Sequence, residues 1–283
     1  MVPDERFVSQ TSRFWANVRA ISESVGYSVR GEDRVKAPTL DEIIHALATR
    51  GLDVRHVIDS HGHPTEFGSL LSNYLDFRAS TLNHFVRQRL MRVEHAADIF
   101  QELRNRLNPG CPIPMNKQRG NKRAPAYFTG IINMIIEANS DGISCNFNPN
   151  ELITATRDGQ LAYTSSRRLD GAFPETTDPI AVWEIKEQYY TTTFGSRVAA
   201  GVYESLLDGM ELTELRSHED IMVKHYFMLD AYDTWWGKGR SYLCRIVDML
   251  HMGYVDEVLF GYEVVERLPA AVHEWVYIAR RRL

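Results

Sequence analysis

The sequence has little cysteine, no long apolar run and no recognisable leader. Only three of its 283 residues are cysteines, and they are far apart and form no CxxC pair: Cys111, Cys145 and Cys244. This argues against a disulfide framework and against a structural zinc site. No apolar run approaches the roughly 18 residues of a membrane span, and no basic stretch followed by an apolar one opens the chain. We therefore expect a cytoplasmic protein with no membrane partner.

Acidic side chains are missing from one long stretch. The formal net charge of the chain is −5, which argues against a uniformly basic surface. Residues 103–136, however, contain no Asp or Glu and hold six basic residues: Arg104, Arg106, Lys117, Arg119, Lys122 and Arg123. The last four lie in a stretch with a glycine and no apolar residue, which is typical of an exposed loop. We define residues 117–123 as the basic segment. Either it is simply a solvated loop, or its four cations contact phosphates.

The pattern of the chain changes near residue 110. Before this point apolar residues recur at helical spacing, and Thr39 and Glu42 have the spacing of a capping box. Three prolines between 109 and 114 then interrupt the helical pattern. We therefore divide the chain into a helical N-terminal region, 1–110, and a second part, 111–283.

Strands alternate with helices in the second part. Residues 127–139 are typical of a buried helix, and Asp158-Gly159 between two β-rich runs predicts a hairpin. Further strands and helices then alternate as far as residue 265, the order expected of an α/β fold.

One strand of this part carries charges in its interior. The run 180–186, IAVWEIK, is apolar enough for a central strand buried on both faces. Its two-residue period places Glu184, Lys186 and Gln188 on one face, opposite Trp183. An unpaired charge at such a position would reduce the stability of the fold by several kcal/mol. A divalent cation beside the strand would offset the negative charge of the carboxylate.

A second carboxylate lies upstream, at the end of a neighbouring strand. Asp170 precedes Glu184 by 14 residues and is followed by a glycine. Carboxylates from adjacent strands can hold a hard cation such as Mg²⁺ through their oxygens. Lys186, two residues from Glu184, could position or activate an attacking water. These groups are what metal-assisted phosphodiester hydrolysis requires.

Asp170 followed by Glu184-Ile185-Lys186 in an apolar strand resembles the PD-(D/E)XK superfamily of nucleases. The resemblance covers roughly residues 125–265, and it departs from the family pattern in having Leu169, not Pro, before the Asp. It implies a restriction-endonuclease-like core, a mixed β-sheet flanked by helices, with Mg²⁺ on Asp170 and Glu184.

The resemblance also implies further site residues and a substrate. Glu137, on the helix before the strands, matches an auxiliary carboxylate of the family, and Gln188 matches a glutamine of some branches. Double-stranded DNA is then the expected partner. Its phosphates would meet the basic segment, Arg167 and Arg168 before Asp170, and Arg197 on the helix after the strand.

These observations favour a DNA endonuclease, and most of all a type II restriction enzyme, because no GxxxxGK[ST] loop of an ATPase is present. Cleavage of both strands would favour a homodimer. Two other functions stay open: a non-cleaving DNA-binding or regulatory protein that reuses the fold, and a helix-turn-helix regulator through residues 39–58. The alternative to a nuclease site is that Glu184 and Lys186 form an ion pair on a solvated strand edge. We expect Asp59, His61 and His63 to be a polar turn rather than a metal site.

Overall fold

The computed structural model describes residues 1–29, 31–116, 124–190 and 195–282. The first 107 residues form helices α1 to α6, with a π-helical turn between α4 and α5: α1 Glu5–Val8, α2 Ser12–Val25, α3 Leu40–Ala48, α4 Glu66–Ser80, π-turn Thr81–Val86, α5 Arg87–Arg89 and α6 Val93–Leu107. The predicted capping box begins α3, where the Thr39 side chain accepts the Glu42 N–H and the Glu42 side chain accepts the Thr39 N–H.

The second part contains both helices and strands, as predicted: α7 Tyr127–Asn139, β1 Thr154–Arg157, β2 Gln160–Thr164, β3 Gly171–Phe173, β4 Ala181–Glu187, α8 Ser196–Glu219, β5 Lys224–Asp230, α9 Tyr232–Trp235, α10 Arg240–His251, β6 Glu257–Phe260 and α11 Glu263–Arg282. β1 and β2 form the predicted hairpin. Asp158 and Gly159 both have positive φ at its turn, as a type I′ turn requires.

The main sheet is mixed and has the strand order β3-β4-β5-β6. β3 is antiparallel to β4, whereas β4, β5 and β6 are parallel. One face packs on α6, α7 and α11, and the other packs on α8 and α10. The prediction of an α/β fold is therefore confirmed, and β4 is the central strand that the sequence indicated.

β4 separates its side chains as its two-residue period requires. Trp183 lies in the core beneath α11 and stacks on Trp275, with the ring centroids 5.7 Å apart. Val182 packs on the opposite side against Leu212 of α8. Glu184 and Lys186 share this second face, so both charged groups point towards α8.

A buried ion pair joins the N-terminal helices to the α/β part. Arg78 of α4 donates to both carboxylate oxygens of Asp248 on α10, at 2.9 Å each. Tyr74 donates to the same carboxylate at 2.6 Å, and Arg78 also donates to Ser22 of α2.

Three features differ from the sequence prediction. Residues 51–58 form turns and the next helix begins at Glu66, so the helix-turn-helix of residues 39–58 is not formed. α11 was not predicted: the pattern of residues 257–265 indicates a strand throughout, whereas β6 ends at Phe260 and the chain turns at Gly261 before α11. α6, which the pattern of the chain placed in the helical N-terminal region, packs on α7 in the α/β core. No helix within the described ranges is long and apolar enough to span a bilayer.

Candidate active site

Asp170 lies directly beside Glu184, as the sequence predicted. Gly171 pairs with Trp183 across the β3–β4 ladder, which sets the preceding residue opposite the following one. The Asp170 carboxylate accepts the Ile185 N–H at 2.7 Å, and the Asp170 N–H donates to the Trp183 carbonyl at 3.1 Å. A Cβ at Gly171 would lie 2.0 Å from the Trp183 ring. Only glycine therefore fits after Asp170.

Glu184 is the centre of the site and is only 3% exposed. Arg167 binds it with both terminal nitrogens: Nη1 is 3.0 Å from Oε2 and Nη2 is 2.8 Å from Oε1. Lys186 also donates to Oε1. An ion pair between Glu184 and Lys186 thus exists, but it lies on the buried central strand and not on a solvated edge.

Two further carboxylates reach the site from α8. Glu204 accepts a hydrogen bond from Lys186 at 3.1 Å, and Asp208 lies 3.5 Å from Arg167. Sequence reasoning missed both residues. The available signal was two acidic side chains four residues apart, hence on one face of the helix that follows the Glu-x-Lys strand. We call Asp170, Glu184, Glu204 and Asp208 the carboxylate cluster.

Crowding raises the pKa values of two members of the carboxylate cluster. Burial, assisted by the charge of Glu184, raises the pKa of Asp208 to about 7, against the opposing effect of Arg167. The same two causes, burial first, raise the pKa of Asp170 to about 6. Asp170 as a residue keeps an exposed surface, and the negative charge of the neighbouring Glu184 disfavours ionisation of its carboxyl group.

The lysine at the centre of the site stays charged. Burial acts to lower the pKa of Lys186, but the neighbouring Glu184 carboxylate outweighs it and the pKa is raised. The stem of Lys186 crosses α8 at Gly201, where a Cβ would lie 2.7 Å from the lysine Cε. This glycine therefore provides the space in which Lys186 lies.

The donor set suits a hard divalent cation. When all are ionised, the four carboxylates outnumber the cations that the described residues place against them, Arg167 and Lys186, by two charges. Mg²⁺ prefers oxygen ligands and is commonly held by one or two carboxylates. Within the described part of the chain, no three His, Cys, Asp or Glu side chains are already arranged as a metal-ligand set.

A cleft of about 570 Å³ opens over these groups. Asp170, Glu184, Lys186 and Gln188 line it on the strand side. Gln188, whose carbonyl accepts from Thr234, thus lies at the site as the resemblance implied. Glu187, on the opposite face of β4 from Glu184, accepts the N–H of Thr129 at 3.1 Å near the start of α7, which fixes that helix beside the cleft.

Glu137 is placed differently from the other predicted site residues. It lies two turns beyond Thr129 on α7, and its carboxylate accepts the Gly110 N–H at 3.0 Å. It is not among the residues that line the cleft. Glu137 therefore contacts the loop after α6, and its position gives no support to a role as an auxiliary carboxylate of the site.

The predicted DNA-binding residues have three different outcomes. Arg167 is held by Glu184 and Asp208 within the site, whereas Arg168 is exposed beside it. The basic segment, with Lys117, Arg119, Lys122 and Arg123, lies outside the described residues, as does the side chain of Arg197.

The two residues that flank the basic segment, Asn116 and Ala124, are joined by a backbone hydrogen bond of 2.8 Å. Pro114, Asn116 and Ala126 line the cleft, so the segment leaves and rejoins the described chain at its wall.

Asp59, His61 and His63 form a polar turn, as the sequence predicted. The Asp59 carboxylate accepts the backbone N–H groups of His61 and His63, at 2.8 and 2.9 Å, and all three residues are exposed. This is the local structure of an aspartate in a polar turn.

Comparison with known proteins divides the chain in two. No curated protein and no solved structure matches it. Residues 1–85 match the model of a family described as a domain of unknown function, DUF7690. Residues 91–275, more than half of the chain, match that of another domain of unknown function, DUF7687. The gap between the two matches falls before α6, where the packing also changes. The chain therefore belongs to the DUF7687 family.

Proposed function

We propose that the protein is a Mg²⁺-dependent DNA endonuclease. The observation that carries the proposal is the meeting of Asp170, Glu184 and Lys186 at the start of β3 and on β4, in one cleft. Two carboxylates beside a protonated lysine are the groups that metal-assisted phosphodiester hydrolysis uses. The narrower predictions, a type II restriction enzyme that acts as a homodimer, belong to the same proposal.

Each of the three side chains has its own task. Asp170 and Glu184 would hold Mg²⁺, which when bound polarises a phosphodiester and lowers the pKa of a bound water. Lys186 keeps its proton at neutral pH, because its pKa is raised. It therefore orients the attacking water as a hydrogen-bond donor and offsets the negative charge that develops on the phosphate.

Two observations support DNA as the substrate. The basic segment, with four cations in seven residues, is attached to the wall of the cleft at both ends. Arg168 is exposed three residues from the start of β3. Cations close in the chain to a carboxylate site could bind phosphates of the DNA backbone.

The test is incubation of the purified chain with supercoiled plasmid and with genomic DNA, methylated and unmethylated, in Mg²⁺, Ca²⁺ or EDTA. Cleavage in Mg²⁺ alone, lost in an Asp170→Asn protein purified in parallel, would support the proposal. The Asp170→Asn protein also controls for a contaminating nuclease. Binding of DNA in Mg²⁺ with no cleavage of any substrate would overturn it and favour the non-cleaving alternative.

A further inference from the structure

Each cation of the site contacts Glu184 and at least one carboxylate of α8. Arg167 binds Glu184 and lies 3.5 Å from Asp208, whereas Lys186 binds Glu184 and Glu204. Glu184 is thus shared by both cations, and so is Glu204, whose Oε2 also lies 3.7 Å from Arg167 Nη2, whereas Asp208 forms an ion pair with Arg167. Glu204 and Asp208 are one helical turn apart, so α8 presents them side by side.

We propose that Asp208 and Glu204 are positioning residues that retain Arg167 and Lys186 beside the cleft when Glu184 turns its oxygens to a divalent cation. This inference rests on the proposed function, because it requires Glu184 to be a metal ligand. It assigns to α8 a role that neither the resemblance nor the family match provides.

Asp208 has the unused binding capacity that this role needs. It is only 2% exposed, and neither of its carboxylate oxygens accepts a hydrogen bond from any described residue. Its nearest cation, Arg167, is just beyond hydrogen-bonding distance at 3.5 Å. A buried carboxylate without hydrogen bonds is costly, and its presence calls for a physical reason. Receiving the guanidinium that Glu184 releases is such a reason.

Without the α8 carboxylates the site would repel the ion it is meant to bind. Arg167 and Lys186 would then be two half-buried positive charges with no partner once Glu184 ligates the metal. With Asp208 in place, Arg167 can stay where it is, since a guanidinium has five N–H donors. Some of these donors can bind Asp208 while others remain for a phosphate oxygen in the cleft.

The experiment measures Mg²⁺ binding calorimetrically, without DNA, in the wild type and in Asp208→Asn. Loss of the Asp208 charge leaves Arg167 dependent on Glu184, so the half-saturating Mg²⁺ concentration should rise about tenfold, within the usual range of coupling between neighbouring groups. Glu214→Gln is the matched control, since it removes one charge from an exposed position of α8. Its Mg²⁺ affinity should equal that of the wild type. Glu204→Gln, at a more exposed position, should give a smaller rise of about threefold and is the second variant if Asp208→Asn folds poorly.

A double-mutant cycle separates a positioning role from a general charge effect. If Asp208 acts through Arg167, the effect of Asp208→Asn on Mg²⁺ affinity should disappear in an Arg167→Gln background. The same tenfold loss in both backgrounds would overturn the inference, as would unchanged affinity in folded Asp208→Asn and Glu204→Gln. A wild type that cleaves DNA with unaffected variants would remove this inference alone. A wild type that binds no Mg²⁺ would remove the proposed function with it.

Discussion

Arg167 binds Glu184 through both terminal guanidinium nitrogens, Nη2 at 2.8 Å and Nη1 at 3.0 Å, in a site where the carboxylate is almost fully buried. The guanidinium therefore neutralises the residue that the Glu-x-Lys pattern singles out. Bidentate pairing of this kind is strong and fixed in direction. Removal of Glu184 and removal of its neighbour Asp170 should for this reason have different consequences.

We expect Asp170→Asn and Glu184→Ala both to abolish DNA cleavage, but only Glu184→Ala to destabilise the fold strongly. Loss of Glu184 leaves Arg167 and Lys186 without the carboxylate that they share. Removal of one partner of a buried ion pair lowers the free energy of unfolding by about 3–5 kcal/mol. Asp170→Asn retains an acceptor for the Ile185 N–H. Cleavage assays in Mg²⁺, DNA binding in Ca²⁺ and denaturant unfolding check both variants. Full activity in either one would remove the site assignment.

Lys186→Ala should also be inactive, yet it should still bind the metal, because an ammonium group is not a ligand.

Gly201→Ala is a smaller change that acts on the position of the same lysine side chain. The new Cβ would lie 2.7 Å from the lysine Cε and must displace the end of that side chain. Since misplacement by about 1 Å can cost up to a hundredfold in rate, we expect kcat to fall by about ten- to a hundredfold with little loss of stability.

Gly209→Ala is the control for Gly201→Ala on the same helix. Its Cβ would lie 2.1 Å from the carbonyl oxygen of Tyr254, a backbone atom that cannot move aside cheaply. It should lower the free energy of unfolding and leave kcat of the folded protein nearly unchanged. Equal effects of the two substitutions on kcat would show that Lys186 does not need the space at Gly201.

The stability of the protein should depend on pH through Asp230. This fully buried carboxyl accepts the Met91 N–H at 2.7 Å and bonds Tyr189, and burial raises its pKa to about 8. The folded state therefore favours the neutral carboxyl, whereas the unfolded chain ionises near pH 4. Stability should consequently fall as pH rises from about 4 to about 8.

Asp230→Asn should remove this part of the pH dependence, because an amide keeps both hydrogen bonds and does not titrate. Denaturant midpoints at pH 5, 6.5 and 8 measure it: the variant should gain stability relative to the wild type as pH rises. Parallel midpoint curves for the two proteins would show that Asp230 has the same pKa folded and unfolded.

The buried pair between Arg78 and Asp248 should couple the two parts of the chain. Asp248→Ala leaves an arginine buried without its partner, so we expect a loss of about 3–5 kcal/mol in unfolding free energy. Arg89→Gln breaks a partly exposed pair with Glu266 and should cost at most about 1 kcal/mol. Limited proteolysis would then cut Asp248→Ala, but not Arg89→Gln, near residues 86–90. A stable free 1–85 fragment from the active wild type would contradict this coupling.

Local signals in the sequence were sufficient for individual elements and for the central pair of the site. α7 begins and ends where its pattern predicts, and the Asp158-Gly159 turn forms because both residues tolerate positive φ. Asp170 and Glu184 meet because strand alternation and the β3–β4 ladder act over short range. Glu204 and Asp208 were not predicted as site residues. Their spacing places them on one face of α8, but their contacts with Lys186 and Arg167 depend on how α8 packs on the sheet, which no local pattern indicates. The contact of Glu137 with Gly110 could not be predicted for the same reason, since Gly110 belongs to the loop after α6.

The affinity of the protein for DNA should depend on salt concentration through the basic segment. If Lys117, Arg119, Lys122 and Arg123 contact DNA phosphates, binding releases condensed counterions, and the log–log slope of affinity against salt is about −0.9 per contact. Replacing all four by Gln should therefore flatten the slope by up to about 3 to 4 units, equally on cognate and random DNA, because phosphate contacts carry no sequence information. Arg104→Gln, an exposed position on α6 in the same acid-free stretch, is the control and should leave the slope unchanged. Binding titrations in Ca²⁺ over a salt series measure both. A loss confined to cognate DNA would mean that one of these arginines reads a base edge, and an unchanged slope would make the basic segment a solvated loop.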